Sequence, residues 1–445
     1  MPVRIRPLHE ALEGFLVNLL RLIGERVKAG QLSIPEQLVA RVEFRDGGLW
    51  HDVQTIRDYV GLVTKALSDS GGELNLDKLL ATLVVIPELN DFLRIGSGGA
   101  EPTVMNLRIS LLMPVVARYY SESSPPKQQQ AFDFDEAAFT KTYESLEEYL
   151  LGTEDTYRLV APLLNFEMAG GSLTLGSVTI RALDNDEVVQ LNRILPDHRS
   201  IEGRFPFGIA RFGVETLAHC PRGSQVGVSA GFDRLWWSVI CLKLAKKGAI
   251  TYGDVWIIPH RWSPFPGLAR QSRSVQPSFF DIYRMAREDI PVIERIWHSV
   301  EGHVQKPPPF WMVALGRFDD STLRHRPEDK LIDTWIGLEA LFGKGVGVGE
   351  LRYQLSLRLA HFLETDAGAR KRVRDLAMDA YKLRGAVVHG EAKRDVKKLS
   401  ELPNEMEMLL RRALCNCVLN GIVSQKELVS EVEASIIGEA ARRVE

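Results

Sequence analysis

The spacing of apolar residues divides the chain into two helical regions separated by a mixed region. From Pro7 to about Tyr120, apolar positions recur every three or four residues, which predicts amphipathic helices. A polar, Pro-rich linker at 121–130 precedes another predicted helix at about 135–151. After residue 278 the helical spacing returns and predicts five helices, at about 279–301, 326–342, 349–364, 368–389 and 401–443, the last split near 421–424.

The middle of the chain shows the two-residue alternation of β-strands. Apolar residues alternate on both sides of Gly176-Ser177 and predict a short hairpin. Asp184 to Asp186 supply caps for a helix, and a strongly apolar helix is predicted from Phe232 to Lys247. Further strands are predicted around 212–216 and 255–258. The sequence therefore predicts a mainly α protein with a small α+β middle region: a helical N-terminal region of unknown role (1–155), an α+β domain (156–265), a helical connector (266–322) and a helical bundle (323–445).

The composition excludes several protein classes. Hydrophobic residues make up 45% and charged residues 25% of the chain, which argues against disorder. The formal net charge of −3 gives no global positive field for nucleic acid. Four cysteines without a Cys-x-x-Cys pair fit a reducing compartment. No apolar run reaches about 18 residues, and polar residues interrupt the amphipathic segment Met1 to Val27, so we expect a cytoplasmic protein without a membrane span.

Three segments of the predicted bundle carry a recognisable pattern. They are Leu331 to Phe342, Leu357 to Ala360, and Tyr381 to Gly390, the last containing Arg384 and His389 in Arg-x4-His spacing. Together, in this order, they resemble the ApeA-like HEPN domains, and the resemblance covers about 323–445. The middle region is loosely similar to what precedes HEPN in such proteins.

The resemblance implies a HEPN-type helical bundle that usually forms a homodimer, in which two Arg-x4-His segments face each other across a cleft. Many members cut RNA without a metal, often in phage defence or toxin systems, whereas others only bind. We therefore expect RNA as a partner and no cofactor. A protein or phage-derived trigger would act on residues 1–322.

The chemistry of the motif supports the same expectation. RNA is cleaved when its 2′-OH attacks the adjacent phosphate, which requires proton transfer and positive charge on the developing phosphorane. His389 supplies the proton transfer and Arg384 the charge, so both are predicted to be catalytic. The helix dipole at the end of a helix favours the protonated form of a histidine, which suits a general acid. Glu339, in the first of the three segments, could orient Arg384 across the bundle, and an ordinary intrahelical or surface role is the alternative for it.

Residues around the motif add positive charge. Between Arg370 and Lys398 there are ten Lys or Arg and four Asp or Glu, a net charge of 10 − 4 = +6. Such a basic surface is typical of a phosphate-bearing ligand, although charged helices are also simply solvated. Within this surface, Lys382, Lys393 and Arg394 are the predicted RNA-binding residues.

Two observations leave alternatives open. The residue after the arginine is usually polar in active HEPN members, and here it is Gly385, so a catalytically inactive module that binds RNA, a nucleotide or a protein is the alternative hypothesis. Five residues correspond to about 500° of helix, which places Arg384 and His389 roughly 140° apart and favours a composite site in a dimer. Gly385 could also loosen the turn between them. His298 and His303 lack the spacing of a zinc motif, so no metal site is expected.

Overall fold

The computed structural model describes residues 3–45, 48–69, 73–96, 99–122, 132–192, 209–222, 226–259, 269–271, 282–347, 350–389 and 396–438. The fold is mainly α with an α+β region in the middle, as the sequence predicts. Buried apolar residues form two clusters: one lies within residues 5–150, and the other extends from Leu159 to Val432 and is shared by the sheet and the C-terminal helices. Within these ranges, no helix is both long enough and apolar enough to cross a bilayer.

The N-terminal region consists of helices and one β-hairpin. Its elements are α1 (Arg6–Lys28), β1 (Glu36–Arg45), β2 (Gly48–Arg57), α2 (Tyr59–Asp69), α3 (Leu76–Leu83), α4 (Pro87–Gly96), α5 (Val104–Asn106), a π-helix (Leu107–Leu112), α6 (Met113–Glu122) and α7 (Glu136–Leu151). The expectation of helices throughout Pro7 to Tyr120 is wrong for residues 36–57, because β1 and β2 pair antiparallel from Glu36 opposite Arg57 to Arg45 opposite Gly48. The alternating Leu38, Ala40, Val42 and Phe44 carried that signal.

The start of α1 is fixed on α7. The Glu147 carboxylate accepts the backbone N–H groups of Arg4 and Ile5 at 2.8 and 2.7 Å. The Tyr143 hydroxyl donates to the Ile5 carbonyl at 2.7 Å. Glu147 thus supplies acceptors to backbone groups that precede the helix, and it ties the first helix to the last one of this region.

The middle region is built on an antiparallel sheet. Its strands and helices are β3 (Glu154–Leu164), β4 (Phe166–Met168), β5 (Ser172–Leu175), β6 (Val178–Ala182), α8 (Asn185–Leu191), β7 (Phe212–Pro221), α9 (Val226–Ala245), β8 (Thr251–Tyr252), β9 (Val255–Pro259), β10 (Ala269–Gln271) and β11 (Tyr283–Met285). The strand order is β10-β9-β3-β7-β6-β5, with β8 also paired to β3, while β11 pairs parallel with β4. The predicted hairpin, both helices and the strands at 212 and 255 are confirmed. The central strand β3 was not predicted.

The C-terminal helices form a bundle. After a 3₁₀ turn (Arg287–Asp289) they are α10 (Ile290–Glu301), α11 (Pro309–Leu323), α12 (Pro327–Phe342), α13 (Leu351–Leu363), α14 (Ala367–Val388), α15 (Val396–Leu419) and α16 (Gln425–Ile436). The predictions for α12 to α16, including the break near 421–424, are confirmed, except that α16 ends at Ile436; the predicted continuation over 439–443 lies outside the described residues. The helix predicted to begin at 279 is wrong at its start, because residues 283–285 form β11 against β4. Helix α11 is not among the five predicted helices.

A buried ion pair joins α9 of the middle region to α11 of the bundle. The Lys243 ammonium is fully buried, contacts the Asp319 carboxylate and donates to the Thr322 hydroxyl at 2.7 Å. The indole N–H of Trp236 donates to the other Asp319 carboxylate oxygen at 3.0 Å. Because a buried charge is tolerated only when it is paired and hydrogen-bonded, this network fixes how α9 lies on α11.

Candidate functional site

Helix α14 carries both residues of the Arg-x4-His motif. It begins at an Asp366 cap whose carboxylate accepts the Ala369 backbone N–H at 2.7 Å. Its buried residues, Val373, Ala377, Ala380 and Leu383, recur at three- or four-residue spacing and face the bundle. Arg384 follows the last of them, so its side chain lies at the border between the buried face and the surface.

Arg384 is held by side chains from α12 and from its own helix. Its Nη2 lies 3.7 Å from Oε1 of Glu339, and the exposed fractions of the two side chains are 25% and 28%. Its guanidinium carbon lies 5.6 Å from the centre of the Tyr381 ring, a cation–π distance. Trp335, one turn before Glu339 on α12, packs edge-on against the Tyr381 ring at 5.1 Å. These four residues are called the arginine cluster below.

The arginine cluster has unused hydrogen-bonding capacity. Within the described ranges, three of its buried polar atoms have no hydrogen-bond partner: Nε1 of Trp335, Oε1 of Glu339 and Nε of Arg384. The 3.7 Å separation between Arg384 and Glu339 makes them an ion pair but is too long for a hydrogen bond. Arg384 is therefore held beside Glu339 by charge attraction rather than by a direct hydrogen bond.

His389 lies at the C-terminal end of α14 and is exposed. Its backbone N–H donates to the Gly385 carbonyl at 3.0 Å, so the helix runs without interruption through Gly385. The expected loosening of the turn at Gly385 is therefore wrong. On a continuous helix Arg384 and His389 are separated by about 7.5 Å along the axis and roughly 140° around it. Within one chain the two side chains leave the helix in different directions.

The other predicted RNA-binding residues are only partly placed. Lys382 is exposed on α14, one turn or less from the arginine cluster. Gly390, Lys393 and Arg394 lie outside the described residues. The upstream cations, from Arg370 to Arg374, lie near the opposite end of α14, about 15 Å or more along the axis from Arg384. Within one chain these upstream cations therefore do not lie around the motif.

The second segment of the sequence pattern, Leu357 to Ala360, has a structural role. Arg358 is buried on α13, where its guanidinium donates to the carbonyls of Phe342 and Lys344 and pairs with Glu433. It thus satisfies carbonyls that the end of α12 leaves free and attaches α16 to them.

Two residues of the arginine cluster were missed by the sequence reasoning. Tyr381 lies three residues before Arg384 and Trp335 four residues before Glu339, the spacings that place helical neighbours on one face. Once Arg384 and Glu339 had been chosen, that spacing could have identified Tyr381 and Trp335 as their neighbours.

Comparison with known proteins adds no relative. No protein-family model, no curated protein and no solved structure matches this chain. In the part of the chain that the structure describes, no three His, Cys, Asp or Glu side chains are grouped so that they could hold a metal ion.

Proposed function

We propose that the C-terminal bundle is a metal-independent endoribonuclease of the HEPN type, with Arg384 and His389 as its catalytic residues. The observation that carries the proposal is the arginine cluster: a guanidinium oriented by Glu339 and Tyr381 at the border of the bundle, on the helix that ends at an exposed histidine. A preorganised cation beside a proton donor is what phosphodiester cleavage needs.

The proposed reaction is attack of the RNA 2′-oxygen on the adjacent phosphorus. The O2′–P bond forms as the P–O5′ bond breaks, giving a 2′,3′-cyclic phosphate and a free 5′-hydroxyl. His389 of one protomer protonates the leaving 5′-oxygen, while His389 of the partner subunit accepts the 2′-hydroxyl proton. Arg384 stabilises the charge on the phosphorane by hydrogen bonds to its non-bridging oxygens.

The direction of the two side chains favours a homodimer for this reaction. About 140° separates Arg384 from His389 on one helix, so a single chain does not aim both at one phosphate. A two-fold arrangement of two α14 helices brings the arginine of one chain near the histidine of the other. The proposal therefore includes a homodimer formed through the bundle.

The decisive experiment measures cleavage of cellular RNA in EDTA by the wild type and by His389→Ala. His325→Ala is the matched control, because His325 is also exposed and lies outside the motif. We expect His389→Ala to lower the rate by at least about 100-fold and His325→Ala to leave it unchanged. The products should carry 2′,3′-cyclic phosphate ends. Equal cleavage by all three proteins would identify a contaminating nuclease and refute the proposal.

A binding module is the second candidate function, favoured by Gly385 at a position that is usually polar in active members. It predicts that the wild type binds RNA without cutting it in any tested condition, and that Arg384→Ala weakens binding. RNA binding measured by fluorescence anisotropy, beside the cleavage assay, separates the two functions.

A further inference from the structure

A groove in the N-terminal region lies between α1 and α3, far along the chain from the arginine cluster. Its volume is about 530 Å³, within the range of roughly 300–1,000 Å³ that small-molecule sites occupy. Its floor is apolar and includes Phe15, Leu22 and Leu79, whereas its rim carries Asn18, Arg21, Lys78 and Thr82. An apolar floor below a few converging polar groups is the usual construction of a small-molecule site.

The rim of the groove is positively charged. Glu73 is the one carboxylate among the described residues that line the groove, and it forms an ion pair with Arg26. Among the described residues, no carboxylate forms an ion pair with Lys78. Arg21 pairs with Glu25 at 3.0 Å, but both side chains are more than half exposed, so water screens the pair and a ligand can replace Glu25.

The two cations come from different walls of the groove. Arg21 belongs to α1 and Lys78 to α3, so an anion between them is contacted from both sides, and Asn18 adds a neutral hydrogen-bonding group. The Thr82 hydroxyl is already engaged, since it donates to the Lys78 carbonyl at 2.9 Å. Guanidinium and ammonium groups both bind carboxylate and phosphate strongly.

We infer that this groove binds an organic anion with an apolar body, the anionic group between Arg21 and Lys78 and the body against Phe15 and Leu79. The chemistry covers a medium-chain carboxylate and an aromatic phosphate or sulfonate alike. This site is independent of the proposed RNA cleavage, and it gives residues 1–150 a ligand of their own.

The test uses the full-length protein and anilinonaphthalene sulfonate, a fluorescent organic anion of this class. We expect saturable binding to the wild type and a rise in Kd of at least about tenfold in Arg21→Glu/Lys78→Glu. Lys65→Glu is the matched control, since Lys65 is an exposed cation on α2 outside the groove, and its Kd should equal that of the wild type. Thr82 is exposed at the rim, so Thr82→Trp places a large side chain in the groove without changing its charge. This variant should no longer bind the probe.

Competition distinguishes the possible sources of the ligand. Decanoate should displace the probe, whereas decanol, which lacks the charge, and inorganic phosphate, which lacks the apolar body, should do so at least about tenfold more weakly. Displacement by an aromatic phosphate but not by decanoate would assign the site to aromatic ligands. Unchanged probe affinity in both groove variants, with circular dichroism showing that they are folded, would overturn the inference. Equal displacement by inorganic phosphate would overturn the role of the apolar floor.

Discussion

Replacing Lys243 by Met should destabilise the junction between the middle region and the bundle by roughly 3–5 kcal/mol. Lys243 is fully buried, and its ammonium contacts the Asp319 carboxylate and donates to the Thr322 hydroxyl at 2.7 Å. Methionine keeps the apolar stem of the side chain but removes the charge. Asp319, with 8% of its side chain exposed, then loses its cationic partner while its carboxylate stays largely out of water.

The double variant Lys243→Met/Asp319→Leu distinguishes two free energies. One is the destabilisation caused by leaving a single buried charge without its partner, and the other is the net contribution of the intact ion pair to stability. Asp319→Leu alone leaves a buried ammonium and should also cost roughly 3–5 kcal/mol. In the double variant both charges are gone, and Thr322 still donates to the Asp319 backbone carbonyl, which the substitution keeps. The Trp236 N–H loses its acceptor, at a cost of about 1–3 kcal/mol. The double variant should therefore be several kcal/mol more stable than the sum of the single changes predicts.

Amide hydrogen exchange is the suitable assay, because a chain with two separate buried clusters need not unfold in a single transition. Exchange in peptides from α9 and α11 reports the local free energy of opening. Lys306→Met replaces an exposed lysine and is the control, and it should change the local free energy of opening by less than about 0.5 kcal/mol. Two results would refute the reasoning: a loss of opening free energy below about 1 kcal/mol in both single variants, or a loss in the double variant equal to the sum of the two single losses.

Three further predictions concern other sites. Burial alone would raise the pKa of Glu187, but hydrogen bonds from Arg181 and the Asp184 backbone N–H lower it from 4.5 to about 2. The Glu187 carboxylate thus contributes on the order of 3 kcal/mol to the stability of the fold above pH 4.5, and this contribution is lost as the pH falls toward 2. The melting temperature of Glu187→Gln should therefore depend less on pH between those two values than that of the wild type. An equal dependence in both proteins would contradict the assignment. Gly385→Ala should stabilise the bundle by about 0.5–1 kcal/mol, since an added Cβ meets nothing within 4 Å. Gly337→Ala should destabilise it, because the Cβ would lie 2.8 Å from a methyl of buried Leu410. Amide exchange in peptides from α14 and α12 measures both changes, and the same sign for both would count against this packing. Arg358→Met should lower the stability of the bundle by roughly 2–4 kcal/mol, because carbonyls at the end of α12 lose a charged donor. The same assay tests this prediction. A loss of stability below about 1 kcal/mol would show that these contacts are dispensable.

The arginine cluster shows which parts of a site a sequence can predict. Arg384, His389 and Glu339 were chosen from the resemblance to HEPN segments and from residue chemistry, and the structure places Glu339 beside Arg384. Tyr381 and Trp335 were not chosen, because an aromatic residue on an apolar helical face is indistinguishable from core until its neighbours are known. Whether two such sites meet across a homodimer is a property of the surface and stays a prediction.

The sequence by itself determined helices α12 to α16 of the bundle, because three- and four-residue apolar spacing and local caps such as Asp366 act within one helix. It likewise determined the hairpin of β5 and β6, whose turn and alternation are local. Only the tertiary structure decided the central strand β3, whose partners β7 and β9 come roughly 50–100 residues later in the chain. It also decided that Lys243 is buried against Asp319, 76 residues away. Such contacts are set by which surfaces pack together, and no short stretch of sequence contains that information.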